Sequence, residues 1–184
     1  MASKFVRAVP NVISSLRLAL AFVFPALPDD WRLPALIAGA MSDWIDGLIA
    51  RRYKAMTVPG ALLDAIADKL FTLSVLITIV MNGDAAWWQA VVVLLRDLAV
   101  AAIACYVMLV GRFDSFRRMR PRLPGKLTTT CVFIWLVALL AGAAAEAEWA
   151  LFALAGMMSA IAGADYIGRF IRELRDHSST MIST

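Results

Sequence analysis

Six long apolar segments dominate the chain, separated by short polar or charged stretches. By residue number they cover 12–27, 33–50, 61–81, 85–110, 127–145 and 149–170. A helix that crosses a bilayer needs about 20 mostly apolar residues, and these segments reach that length or nearly so. They are too long for strands and show no sustained two-residue alternation. The pattern therefore predicts an all-α, polytopic membrane protein with six transmembrane helices, formed as a single domain over residues 1–184.

The composition supports a membrane setting for this chain. Hydrophobic residues make up 61% and charged residues 17% of the sequence, against about 45–50% and 25% in soluble domains. These values exclude a disordered chain and argue against a soluble globular one. The net charge of +4 then indicates loops that face anionic membrane lipid, and no nucleic-acid partner is expected.

Cysteine and histidine are too scarce for several common kinds of active site. The two cysteines, Cys105 and Cys131, lie inside apolar runs without metal-ligand spacing, and His177 is the single histidine. A multi-histidine zinc site, a Ser-His-Asp triad and a Cys-His pair therefore have almost no residues from which to form.

Basic residues mark one side of the predicted bundle. They concentrate in the N-terminal stretch and in alternate connections, at 4–7, 51–54, 112–126 and 172–175. The opposite connections carry Arg32 as their single Lys or Arg. The positive-inside rule then places both termini in the cytoplasm, with the protein in the cell membrane. Residues 1–10 are too short to span, and we expect either a short interfacial helix or a frayed terminus there.

Four aspartates occur where lipid-facing residues would be expected. Asp43 and Asp46 are three residues apart near the end of the second segment, and Asp64 and Asp68 are four apart near the start of the third. These spacings place each pair on one face of its helix. Because the connection around 58–60 is short, the two helices are expected to be antiparallel neighbours with both pairs at similar depth.

Such a cluster is costly in a membrane unless its charge is neutralised. An aspartate at the centre of a spanning helix costs about 2.5–3.5 kcal/mol, and repulsion between like charges favours protonation or cation binding. Carboxylates without histidine or thiolate favour two Mg2+ or Mn2+ ions, and paired ions can serve phosphoryl chemistry. The alternative is that the aspartates only pair with Arg51, Arg52 and Lys69.

At these positions the chain resembles the CDP-alcohol phosphatidyltransferase family, whose signature it matches at every fixed position. The matching residues are Asp43, Asp46, Gly47, Ala50, Arg51, Gly60, Asp64 and Asp68. The resemblance implies an enzyme that moves a phosphatidyl or similar group from a CDP-linked donor to an alcohol and releases CMP. It also implies a membrane-embedded site that opens to the cytoplasm, and a homodimer.

The resemblance further implies a role for each signature residue. Two divalent cations, Mg2+ or Mn2+, would be bound by Asp43, Asp46, Asp64 and Asp68, and Asp68 would also be the catalytic base. Gly47, Ala50 and Gly60 would form the pocket for the CMP part of CDP-diacylglycerol, and Arg51 would hold its diphosphate.

The residues that would bind the acceptor are less sharply indicated. The stretch 112–126 carries six cations against one acid, which suits either a phosphorylated acceptor or anionic lipid. Arg96 and Asp97 lie at membrane depth, where they line an acceptor cavity or simply neutralise each other. Arg96, Arg118 and Lys126 are therefore the candidate acceptor-binding residues.

Two branches of the family, which use different acceptor alcohols, are each similar to this sequence. The chain resembles the glycerol-phosphate branch, which includes phosphatidylglycerophosphate synthases, at several positions. These are Pro10-Asn11, Arg17, Arg96, Gly125-Lys126 and Thr128-Thr129. Arg96-Asp97 is more similar to cardiolipin synthases, which use phosphatidylglycerol. Glycerol 3-phosphate is the first choice. A divalent-cation transporter or a non-enzymatic scaffold is the alternative from another class, although the apolar segments show no interruption or repeat symmetry typical of transporters.

Overall fold

A computed structural model describes residues 4–53, 58–110 and 123–182. For residues 4–10, 43–53, 58–59, 61–62, 108, 110, 123–124, 126 and 174–182 the description is of the backbone alone. All regular structure in the described ranges is helical, which confirms the all-α prediction. The helices are α1 (Lys4–Val23), α2 (Asp29–Tyr53), α3 (Val58–Asn82), α4 (Trp87–Val93), α5 (Leu95–Val110), α6 (Leu123–Leu140) and α7 (Ala145–Ile182), with a 3-10 turn (Phe24–Ala26) after α1.

The apolar segments predict where the helices lie better than they predict where the helices end. Residues 4–10 form the first turns of a continuous α1 and not a separate interfacial helix. At the other end of the chain, α7 continues to Ile182 although the apolar segment ends near residue 170. The polar residues at the end of α7 can continue the helix because helical hydrogen bonding does not depend on apolar side chains.

The number of membrane spans is not confirmed by helix length and composition. Within the described residues one helix, Ala145–Glu173, is long and apolar enough to cross a bilayer. The pair Trp87–Val93 and Leu95–Val107 would provide a second span if taken together, and Asn11–Ala26 and Leu127–Leu140 are shorter apolar helices. Six spans and cytoplasmic termini therefore stay predictions.

The sequence had suggested one straight helix for the fourth apolar segment, and this prediction was wrong. The segment bends by 63° between α4 and α5, although residues 87–110 contain no glycine or proline. At the bend, the Ser159 hydroxyl of α7 donates to the Val93 carbonyl at 2.8 Å and accepts from the Arg96 backbone N–H at 3.1 Å. Ser159 thus satisfies backbone groups that would otherwise be left unpaired where the helix is interrupted.

The chain divides between Ala86 and Trp87 into two compact units. In the first unit, α1 packs along both α2 and α3, which approach each other at few of the described positions. Phe24 and Phe71 meet edge to face with ring centroids 5.9 Å apart, and the Ser74 hydroxyl donates to the Ala21 carbonyl at 2.6 Å. Therefore α1 is the common partner of the two helices that carry the aspartates.

Gly39 marks the close approach of α2 to α3. A Cβ at this position would overlap the ring of Phe71, which is buried and packed against Phe24. We expect Gly39→Ala to lower stability by about 1–3 kcal/mol, as overpacked core substitutions do. The melting temperature in detergent measures this loss.

Gly168→Ala in α7 is the matched control for this substitution. The nearest atom to a Cβ there is Arg172 Nη2 at 4.0 Å, and alanine favours helix over glycine by about 1 kcal/mol. Gly168→Ala should therefore leave the melting temperature unchanged or raise it. Equal melting temperatures for Gly39→Ala and the unsubstituted protein would contradict the packing at Gly39.

In the second unit α7 packs against α4, α5 and α6. The fully buried Trp135 of α6 lies with its ring centroid 5.5 Å from that of Phe152, and Tyr106 meets Phe170 at 5.5 Å. Outward faces of both units remain apolar, with Phe22, Met81 and Leu109 74–87% exposed. Such surfaces are typical of proteins that meet a membrane or a partner.

Candidate functional site

Two of the four signature aspartates have described side chains, and both lie on α3. Asp64 and Asp68 are one helical turn apart and both are half-buried. Their spacing places them on the same face of α3, as the sequence predicts. The carboxylates therefore lie close together near the N-terminal end of the helix.

A buried arginine from α1 holds Asp64. The Arg17 side chain is 1% exposed, and its Nη1 lies 3.0 Å from Asp64 Oδ1, whereas the Asp64 side chain is 31% exposed. The Ser14 hydroxyl donates to the same Oδ1 at 3.2 Å. Ser14 and Arg17 are three residues apart, so both project from one face of α1. Together they fix one oxygen of a carboxylate whose side chain still reaches solvent.

The same guanidinium connects α3 to α2. Arg17 Nε donates to Ser42 Oγ at 3.2 Å, and Ser42 Oγ donates to the Gly39 carbonyl at 2.6 Å. Ser42 directly precedes Asp43, so this contact ends beside the first aspartate of the signature. Arg17 therefore bridges the two helices that carry the signature, and the sequence pattern did not predict this role for α1.

The interaction between Arg17 and Asp64 is expected to matter because the arginine is buried. A buried charge that loses its partner is strongly destabilising, since the protein cannot replace its hydration. The planar guanidinium also donates in a fixed geometry that a lysine does not reproduce. The pair is thus suited to hold Asp64 in one position.

The other signature residues are placed along the backbone only. Asp43, Asp46, Gly47, Ala50 and Arg51 lie on α2, and their side chains are outside the described residues. Gly60 lies in the first turn of α3 and is half-buried. In the described part of the chain no group of three or more histidine, cysteine or carboxylate ligands comes together. The four-aspartate cluster therefore stays a prediction.

A second polar centre surrounds Arg96 in the other unit. Arg96 Nη2 lies 2.8 Å from Asp97 Oδ1, and Nη1 donates to the Gly125 carbonyl and, at 3.2 Å, to Thr129 Oγ1. A Cβ on the buried Gly125 would lie 3.5 Å from Arg96 Nη1 and 3.7 Å from the Tyr166 hydroxyl. The centre thus joins α5 and α6 around one guanidinium, and the Tyr166 hydroxyl of α7 lies close to Gly125.

The structure contains the ion pair expected of Arg96 and Asp97, whereas their part in an acceptor cavity stays a prediction. They neutralise each other, yet the Arg96 side chain is 13% exposed and the Asp97 side chain 26% exposed. Of the five guanidinium N–H groups, the described contacts of Arg96 use both on Nη1 and one on Nη2. Arg118 lies outside the described residues, and Lys126 follows Gly125 on α6 with its backbone alone described.

Several of these polar contacts depend on residues that sequence reasoning did not select. Ser14, Ser42 and Ser159 each bind a group in another helix, and Tyr166 approaches Gly125. A serine in an apolar helix is a weak signal, because it can equally bond within its own helix. The three-residue spacing of Ser14 and Arg17 was the signal that could have indicated a polar face on α1.

Comparison with known proteins agrees with the signature. The family model described as CDP-alcohol phosphatidyltransferase matches residues 7–162. A Pseudomonas fluorescens protein named CDP-diacylglycerol–glycerol-3-phosphate 3-phosphatidyltransferase is 32% identical over 178 residues, which cover 91% of this chain and 88% of that protein. A Bacillus subtilis protein of the same name is 30% identical over 151 residues, 72% of this chain and 76% of its own.

A second enzyme name occurs among the relatives. A Mycobacterium tuberculosis protein provisionally named a cardiolipin synthase is 34% identical over 163 residues, which cover 80% of this chain and 78% of that protein. The family match extends over most of the chain and includes α1, from which Arg17 reaches Asp64. The chain therefore belongs to the CDP-alcohol phosphatidyltransferase family.

Proposed function

We propose that this chain transfers the phosphatidyl group of CDP-diacylglycerol to glycerol 3-phosphate and releases CMP. The observation that carries the proposal is the ion pair between the buried Arg17 and Asp64. Asp64 is a signature aspartate and lies one helical turn before Asp68. Relatives named for this reaction cover up to 91% of the chain. The protein would act in the cell membrane as a homodimer of six-span subunits, with the site facing the cytoplasm.

The described donors fit a divalent cation in their chemistry. Asp64 and Asp68 offer carboxylate oxygens, and the described contacts of Asp64 from Ser14 and Arg17 both fall on Oδ1. Asp43, Asp46, Asp64 and Asp68 would hold two Mg2+ or Mn2+ ions, since hard cations prefer oxygen ligands. When bound, these ions would supply positive charge to the diphosphate oxygens and to the departing CMP.

Asp68 is the proposed general base. Its carboxylate would accept the proton of the acceptor hydroxyl while that oxygen forms a bond to the phosphorus of the phosphatidyl group. The bond from this phosphorus to the bridging diphosphate oxygen breaks, and CMP leaves with that oxygen. Gly47, Ala50 and Gly60 would hold the CMP part of the donor, and Arg51 would hold its diphosphate in line for displacement.

Arg96 is the proposed binding group for the acceptor phosphate. The described contacts of the guanidinium with Asp97, Gly125 and Thr129 use three of its N–H groups. They leave Nε–H and one Nη2–H to bind a ligand. Arg–phosphate pairs are frequently bidentate, which suits two remaining donors. Arg118 and Lys126 would add positive charge near the same phosphate.

Cardiolipin synthesis is the second candidate function. The observation that favours it is the M. tuberculosis relative provisionally named a cardiolipin synthase, which is 34% identical to this chain. In that reaction the hydroxyl of phosphatidylglycerol would take the place of glycerol 3-phosphate. Its phosphodiester would then meet Arg96.

Release of CMP separates the candidate functions. Purified protein is incubated with CDP-diacylglycerol, Mg2+ or Mn2+, and either glycerol 3-phosphate or phosphatidylglycerol. We expect CMP to form with glycerol 3-phosphate, whereas release with phosphatidylglycerol alone would assign the second function. No CMP with either acceptor or metal would overturn the enzymatic proposals and favour a transporter or a scaffold.

A further inference from the structure

We propose that Ser159 is a positioning residue which sets the orientation of Arg96 by bridging the interruption between α4 and α5. The inference rests on the proposed role of Arg96 in binding the acceptor. Ser159 is fully buried in α7 and lies far from Arg96 in sequence. It holds Arg96 through the backbone and makes no described contact with the guanidinium.

The two hydrogen bonds of Ser159 fall on opposite sides of the interruption. Its hydroxyl donates to the Val93 carbonyl, the last residue of α4, and accepts from the N–H of Arg96, the second residue of α5. In an uninterrupted helix these groups would pair with residues four positions away. One side chain therefore replaces two helical partners and holds the ends of α4 and α5 at one point on α7.

Small residues in α7 allow this close approach. A Cβ on Gly163 would lie 3.5 Å from both the Leu95 carbonyl oxygen and Arg96 Cα, and a Cβ on Gly156 would lie 2.7 Å from Val92 Cγ1. Gly156 and Gly163 flank Ser159 by about one turn on each side. The backbone at the interruption therefore packs directly against α7.

The bend directs Arg96 toward α6. With its backbone N–H bound to Ser159, the Arg96 side chain reaches the Gly125 carbonyl and Thr129 Oγ1 while it also contacts Asp97. A rotation of α5 about the interruption would move the guanidinium relative to α6. Precise placement matters because a displacement of about 1 Å can cost about 10²-fold in rate.

Steady-state kinetics of the full chain in detergent test the inference. We expect Ser159→Ala to raise the KM for glycerol 3-phosphate about tenfold, because two buried backbone groups lose their partner and α5 shifts. The KM for CDP-diacylglycerol should change less than about twofold. Ser159→Thr keeps the hydroxyl and should restore the acceptor KM. A purely structural role would instead lower the amount of active enzyme and leave both KM values unchanged.

Ser74→Ala is the matched control for the loss of an interhelical hydroxyl. The Ser74 hydroxyl also donates to a backbone carbonyl of another helix, that of Ala21, but in the first unit. We expect this variant to keep both KM values. An acceptor KM that rises equally in Ser74→Ala and Ser159→Ala would overturn the positioning role.

A double-mutant cycle separates this inference from the function on which it rests. Arg96→Ala alone should raise the acceptor KM by about 10- to 100-fold, and adding Ser159→Ala should raise it no further, since Ser159 acts through Arg96. Sensitivity to Arg96→Ala without sensitivity to Ser159→Ala would overturn the positioning role alone. An unchanged acceptor KM in Arg96→Ala would overturn the acceptor role of Arg96, and the inference with it.

Discussion

Replacement of Asp68 by asparagine is expected to lower phosphatidyl transfer by about 10²–10⁴-fold, the usual contribution of a general base. The amide has nearly the same shape as the carboxylate but cannot accept the proton of the acceptor hydroxyl. We expect Asp64 to keep its position in the variant, because Arg17 holds its carboxylate. We therefore expect the variant to express, to remain monodisperse in detergent and to keep affinity for CDP-diacylglycerol.

Two measurements distinguish loss of the base from loss of binding. CMP release under saturating donor and acceptor reports turnover, and equilibrium binding of CDP-diacylglycerol in the presence of Mg2+ reports the donor site. Asp84→Asn removes the same charge from an exposed position after α3 and should change neither value. Turnover close to that of the unsubstituted protein in Asp68→Asn would remove Asp68 from the role of base.

The sequence was informative where local pattern alone decides the structure. The apolar segments predicted the helical regions, because one long apolar stretch is sufficient to indicate a buried or membrane-facing helix. The four-residue spacing of Asp64 and Asp68 predicted their shared face on α3, since the period of the helix fixes it. The signature predicted the family that the comparison over residues 7–162 shows.

The contacts between distant residues could not be predicted in the same way. The sequence predicts that α2 and α3 are neighbours, and Gly39 of α2 does approach Phe71 of α3. It gave no indication that Arg17 of α1 also bridges the two helices. Helix order along the chain does not determine which helices pack together. For this reason the signature, which does not include α1, could not indicate that a charge from α1 holds Asp64.

The interruption of the fourth apolar segment also involves a contact between residues that are distant in sequence. Residues 87–110 contain no proline or glycine that would end a helix locally, and the partner of the free backbone groups is Ser159. Local propensity is weak compared with tertiary contacts, so a distant hydroxyl can decide where a helix bends. The position of Arg96 follows from that contact and not from its own sequence neighbourhood.

The second large effect is expected at Arg17. Arg17→Gln removes the charge that faces Asp64 while it keeps a polar side chain of similar reach. We expect transfer to fall about 10²-fold, because a misplaced carboxylate disturbs the alignment of the reacting groups. The loss of stability should lie near the lower end of the roughly 3–5 kcal/mol for broken buried pairs, since 31% of the Asp64 side chain is exposed.

Arg17→Lys and Arg32→Gln complete this test. Lysine keeps the charge but cannot donate to Ser42 and Asp64 in the fixed geometry of the guanidinium, so its activity should fall between those of Arg17→Gln and the unsubstituted protein. Arg32 of α2 pairs with Asp29 and is also mostly buried, yet it makes no described contact with Asp64. Arg32→Gln should therefore leave CMP release unchanged. If Arg32→Gln and Arg17→Gln reduced CMP release equally, the loss would reflect damage to the fold, and Arg17 would have no particular role in placing Asp64.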